Sequence, residues 1–123
     1  MMPIKGVYEV AVPVRKLEAA ETFYRDVLGL ELGLRDEPRR WLFLRAGGDG
    51  GMVVLQETPG DPAPLHFAFT VDSADLDRAS ALLRERGVGI DGPYVHDWIP
   101  ARSVYFEDPD GHQLELCAPG RPG

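Results

Sequence analysis

The sequence predicts an α+β fold of two βαβββ modules whose curved mixed sheets enclose a cleft. Three observations predict it. The alternating run Glu9-Val10-Ala11-Val12-Pro13-Val14 precedes a helical pattern from Leu17, and about half the chain later His66-Phe67-Ala68-Phe69-Thr70-Val71 precedes another from Leu76. Each half closes on a short apolar strand ending in Pro-Gly, at Pro59-Gly60 and Pro119-Gly120. Residues 59–64 hold three prolines and a glycine, a stiff linker between the copies. The organisation expected is an N-terminal module over 1–58, a linker over 59–64 and a C-terminal module over 65–123, forming one domain.

Each element follows from its pattern. Tyr8, Val10, Val12 and Val14 share one strand face, with Glu9 and Ala11 on the other. Leu17, Ala20, Phe23, Tyr24, Val27 and Leu28 recur at helical spacing, and Gly29 supplies the left-handed residue that stops the helix. Strands follow at Leu30–Leu34, Trp41–Ala46 and Met52–Glu57, the last two joined through the glycine-rich loop Gly47–Gly51. In the second half Leu65–Val71 is a strand and Leu76–Arg86 a helix entered through Asp72-Ser73-Ala74-Asp75. Val88–Ile90 begins a strand, and 91–101 reads as a long loop bearing Tyr94, His96 and Trp98. Ser103–Glu107 and Gln113–Ala118 are strands around the turn Asp108-Pro109-Asp110-Gly111, and His112 reads as a residue of that turn.

Composition narrows the function. A net charge of −7 disfavours nucleic acid and anionic membrane as partners. The single cysteine, Cys117, rules out a disulfide framework and reads as packing. The first residues carry no apolar leader and no stretch is long enough to span a bilayer, so the expected location is cytoplasmic. The charge is compatible with an anionic small-molecule substrate that has local help from an arginine or a metal.

Alternation places Glu9, His66 and Glu115 on inward faces, with Ser103 and Tyr105 beside them. The repeat sets His66 where the first copy has Glu9. One imidazole and two carboxylates suit a divalent ion such as Mn, Fe, Co, Ni or Zn. Glu9 or Glu115, if it detaches from such an ion, is a credible proton acceptor. Each residue taken singly has a plainer reading, a satisfied strand histidine and solvated glutamates. Arg102 has the chemistry to grip a carboxylate or phosphate, and Trp98 lies on a loop able to act as a lid. Solvation of Arg102 and packing of Trp98 are their plainer readings. Arg35, Arg39 and Arg40 read as a solvated basic cluster.

The chain resembles the vicinal-oxygen-chelate superfamily, which includes glyoxalases, bleomycin-resistance proteins and extradiol dioxygenases. The likeness rests on Glu-Val-Ala-Val-Pro-Val at 9–14 with the following helix to Leu30, on His-Phe-Ala-Phe-Thr-Val at 66–71, and on Ser-Val-Tyr-Phe-Glu-Asp-Pro-Asp-Gly-His-Gln-Leu-Glu-Leu at 103–116. The resemblance implies Glu9, His66 and Glu115 as metal ligands and Ser103 and Tyr105 as substrate contacts. A fourth ligand, found in the glyoxalase branch, would fall on Leu55, or on Val54 if the register slips by one; neither can ligate, and Glu57 is the only carboxylate nearby. The resemblance further implies a homodimer, with modules paired within a chain or swapped between chains.

The expected function is that of a glyoxalase-like, metal-dependent enzyme acting on a small substrate with vicinal oxygens, by lyase, isomerase or thiol-transfer chemistry. The alternatives are a metal-free antibiotic-binding protein of the bleomycin-resistance kind and an Fe(II) extradiol dioxygenase.

Overall fold

The structure, a computed structural model, describes residues 1–48 and 50–120. Asp49 of the glycine-rich loop and the end of the second module at 121–123 lie outside the described residues. The chain divides into two compact units, Met1–Ala63 and Pro64–Gly123.

The first unit runs β1 (Glu9–Val14), α1 (Leu17–Glu21, continued as a π-helix over Thr22–Val27), β2 (Glu31–Asp36), β3 (Trp41–Arg45) and β4 (Met52–Glu57). The second runs β5 (His66–Thr70), a 3₁₀ turn (Ser73–Asp75), α2 (Leu76–Glu85), β6 (Asp91–His96), β7 (Ala101–Glu107) and β8 (Gln113–Pro119). Each unit holds one mixed four-stranded sheet, ordered β1-β4-β3-β2 and β5-β8-β7-β6. In each, the first strand runs parallel to the last, and the others pair antiparallel. The fold is α+β, as the repeated pattern predicts.

The cores follow the alternation. Val12, Val14, Leu42, Leu44, Val53 and Leu55 are buried with Leu17, Ala20, Phe23 and Tyr24 of the first helix. Val104, Phe106, Leu114 and Leu116 are buried with Leu76 and Leu83 of α2. Burial of this kind contributes roughly 25 cal/mol per Å² of apolar surface.

Four expectations are corrected. The first helix is not uniform: Leu28 N–H reaches Phe23 O at 3.1 Å, five residues back, so the last turns widen. Residues 91–96 form a strand, not a loop; its pairing with β7 shifts register between Asp91 and Tyr94, where Gly92 and a cis Gly92–Pro93 bond sit. Gly92 takes φ 115°, and a Cβ there would lie 2.9 Å from Ser103 O. Gly33 marks the matching shift in β2, where a Cβ would lie 3.1 Å from Phe43 O. Tyr8, read as a core-facing strand residue, is 68% exposed and precedes β1. The arginines at 35 and 40 are ion-paired: Arg40 bonds Glu18, Glu37 and Glu57, and Arg35 bonds Glu21.

Candidate metal and substrate site

The last strand sets the site. Cross-strand register places Ala68 and Tyr105 opposite Glu115, Ser103 and Thr70 opposite Cys117, and Tyr94 opposite Ser103. These residues share the sheet face turned away from Val104, Phe106, Leu114 and Leu116, because side chains alternate along a strand. His66 opens β5 on that same face, two residues before Ala68.

The donor pair is formed there. His66 Nε2 lies 3.0 Å from Glu115 Oε1. The other carboxylate oxygen, Oε2, accepts the Ser103 hydroxyl at 2.5 Å. Ser103 is fully buried, so this bond fixes the carboxylate and leaves one oxygen for the imidazole. The His66 side chain is 52% exposed and that of Glu115 12%. A nitrogen and an oxygen held side by side, one of them oriented by a hydroxyl, are a fitting part of a divalent-ion ligand set.

Glu9 opens β1 in the other unit and is exposed. Among the described residues, no three His, Cys, Asp or Glu side chains gather as a ligand cluster. The register also assigns the fourth-ligand position. Val54 stands opposite Ala11 as Glu115 stands opposite Ala68, so Val54 is the counterpart and Leu55 is not. Glu57 is committed elsewhere: its Oε2 accepts the Leu17 N–H at 2.9 Å, capping α1, and Arg40 Nη2 at 3.0 Å. The Arg40 guanidinium and this cap hold the Glu57 carboxyl below the usual carboxylate range.

The substrate-contact candidates separate. Tyr105 lies beside His66, ring centroids 6.1 Å apart. Burial and the nearby Glu115 charge raise the Tyr105 pKa, so it stays a neutral phenol at physiological pH. Trp98 is 78% exposed in the β6–β7 turn. Arg102 is on the opposite sheet face: its Nη2 donates to Ser73 O at 3.1 Å and its Nη1 lies 3.6 Å from Asp77 Oδ1. It shares the parity of Val104 and Phe106, and that parity was the signal against placing it with Ser103.

Two residues were missed. His96 Nε2 lies 3.1 Å from Tyr105 Oη. Reading 91–101 as a loop hid the alternation that puts Tyr94 and His96 on the site face. His112 closes the β7–β8 turn with its backbone, as expected, but its ring is fully buried and Nδ1 accepts the Leu65 N–H at 2.9 Å.

Comparison with known proteins agrees with this architecture. The profile of the Glyoxalase/Bleomycin resistance protein/Dioxygenase superfamily matches residues 6–116. The metallothiol transferase FosB of Staphylococcus epidermidis is 31% identical over 120 residues, covering 92% of this chain and 83% of the relative. The integron cassette protein HFX_CASS4, from the mobile metagenome of the Halifax Harbour sewage outfall, superposes with a TM-score of 0.91 at 45% identity, covering 94% of this chain and 99% of that one. TnmS3, an antibiotic binding protein from Streptomyces sp. CB03234, superposes with a TM-score of 0.80 at 31% identity, covering 98% of this chain and 100% of that one. With nearly its whole length matched and its two βαβββ units described, the chain belongs to the glyoxalase/bleomycin resistance protein/dioxygenase superfamily.

Proposed function

We propose that the chain is a metal-dependent enzyme that acts on a small substrate with vicinal oxygens, by lyase, isomerase or thiol-transfer chemistry. The observation that carries this reading is the His66–Glu115 pair at 3.0 Å, with Ser103 holding the second carboxylate oxygen. His66, Glu115 and Glu9 are the proposed ligands, and Mn, Fe, Co, Ni or Zn suits them. Such an ion, when bound, stabilises the oxyanion that develops on the substrate.

The chain's own residues do the rest. Ser103 keeps Glu115 in one orientation. Tyr105, neutral, lays its ring beside His66 and holds its hydroxyl against His96 Nε2, from where it can meet a substrate oxygen. Glu115 or Glu9 takes the substrate proton in the isomerase and lyase variants. The 31% identical metallothiol transferase supports the thiol-transfer variant. We further propose a homodimer, with Glu9 supplied from the same chain or from its partner.

The test is metal analysis of the purified protein together with calorimetric titration of Mn²⁺, Ni²⁺ and Zn²⁺ into it. One ion per chain, lost in Glu115→Ala and in Glu9→Ala, supports the reading. A protein indifferent to all three ions refutes it. That result would favour a second reading, a metal-free ligand-binding protein, to which the likeness to TnmS3 lends support.

A further inference from the structure

We propose that Arg45, the last residue of β3, binds a carboxylate or phosphate carried at the end of the substrate remote from its vicinal oxygens. This rests on the reading above only in taking Glu9 as a ligand of the ion that receives those oxygens.

Strand register lines Arg45 up with Glu9. Glu9 stands opposite Met52, Met52 opposite Arg45, and Arg45 opposite Glu31, one row across all four strands of the first sheet. Side chains in one row leave the sheet on the same side. The adjoining row of Val10, Val53, Leu44 and Leu32 turns the other way, and its Val53 and Leu44 are buried in the core. Glu9 and Arg45 therefore share the face turned away from that core, two strand spacings or about 10 Å apart.

The fold leaves this guanidinium uncommitted. The other arginines of the first unit, at 15, 25, 35, 39 and 40, each reach a carboxylate. Among the described residues no carboxylate pairs with Arg45, although Glu31 stands directly across from it. The side chain lies over the β2 bulge, where a Cβ on Gly33 would be 3.7 Å from its Cγ and Nε. A larger side chain at 33 would cover it. An exposed guanidinium without a partner can take a carboxylate or phosphate through two parallel hydrogen bonds.

Charge places the anion on this face. Arg35, the other arginine within β1 to β4, is on the core side and bonds Glu21. Arg102 of β7 is turned to Ser73 and Asp77. In the second unit the matching row reads His66, Gln113 and Glu107, so a carboxylate stands where the first unit has Arg45. An anionic group is repelled there. The spacing from Glu9 also sorts the ligands: a carboxylate next to the vicinal oxygens would meet the ion, whereas one several bonds away meets Arg45.

The test uses hydroxyacetone, hydroxypyruvate, a hydroxymethyl ketone with a carboxylate about four methylenes away, and the same ketone ending in phosphate. Each is titrated calorimetrically into the full chain with Mn²⁺ and again with chelator. At low ionic strength at least one tailed ketone should bind roughly three- to tenfold tighter than hydroxyacetone, and added salt should shrink the gain. Arg45→Gln should abolish that gain, Arg45→Lys should keep part of it, and neither should alter hydroxyacetone binding. The tailed ketone that loses more in Arg45→Gln identifies the anion. Arg39→Gln, which changes net charge equally, should leave the gain in place. Equal binding of tailed and neutral ketones, no binding of either, or a gain that survives Arg45→Gln or falls equally with Arg39→Gln overturns the proposal. An equal Arg45 dependence for hydroxypyruvate overturns the remote placement. Tailed-ketone binding that needs Arg45 yet survives chelation and Glu9→Ala upholds the anion contact while removing the metal reading. Binding that needs Mn²⁺ and Glu9 but not Arg45 does the reverse.

Discussion

The buried imidazole of His112 accepts the backbone N–H of Leu65, the residue immediately before His66, at 2.9 Å. The same junction is closed from the other side, where Gln113 N–H donates to Leu65 O at 2.8 Å. Both peptide groups of Leu65 are thus tied, one to the His112 ring and one to the first residue of β8, and the start of β5 cannot slide. His66 takes its position from a residue that never touches a ligand.

Replacing His112 with Ala should therefore destabilise the fold and loosen the site together. The cavity and the unmet Leu65 N–H should cost about 2–4 kcal/mol in urea unfolding. Affinity for Mn²⁺ or Ni²⁺ should fall as well. His112→Asn, which keeps an acceptor, should recover part of both losses; equal behaviour of the two variants would show that the hydrogen bond is immaterial.

Ser103→Ala tests the orientation of Glu115 alone. It removes the hydroxyl bonded to Oε2 at 2.5 Å and leaves the carboxylate of Glu115, the proposed ligand, in place. Metal affinity measured by calorimetry should drop roughly 10- to 100-fold, as is typical when the partner of a ligating group is lost.

The arginine–carboxylate network of the first unit should make stability depend on acid. Arg40 holds the Glu57 carboxyl, and Arg35 the Glu21 carboxyl, below the ordinary value of 4.5. A carboxylate with a depressed folded pKa contributes stability that is complete above its unfolded pKa and is lost as pH falls through the folded one. Urea midpoints should hold steady near neutrality and decline below about pH 4.5. Glu57→Gln, which can still accept the Leu17 N–H, should flatten that decline.

Gly92→Ala should disturb the β6–β7 hairpin. Its φ of 115° is a conformation few side chains adopt, and the added Cβ would meet Ser103 O at 2.9 Å. A loss of about 1–3 kcal/mol is expected from thermal unfolding. Tyr94 and Ser103, which flank the strained point, should lose their register, so weaker Mn²⁺ binding should accompany the loss.

The duplicated strand–helix pattern was legible because it rests on alternation, which the cores at Val12–Val14 and Leu114–Leu116 obey. That His66, Ser103, Tyr105 and Glu115 share one sheet face was legible for the same reason, since all four alternate with core residues of well-patterned strands. What failed was local. Asp91-Gly92-Pro93 has loop composition, and only pairing with β7 makes it a strand, so Tyr94 and His96 were read as loop residues and not placed on the sheet face. His112 follows a turn motif, and nothing in a sequence tells that its ring folds inward onto Leu65. Arg102 was chosen for its chemistry against its own parity. The widened turns after Glu21 carry no pattern that separates them from ordinary helix.

Val54 stands in the first repeat where Glu115 stands in the second, and it is only 2% exposed. A carboxylate introduced there would lose its hydration, an expense of several kcal/mol unless the proposed ion received it. A fourth donor at that position therefore calls for a bound ion as well as a new side chain. The two units share a strand order yet differ at this matched pair, and only the second carries a carboxylate there.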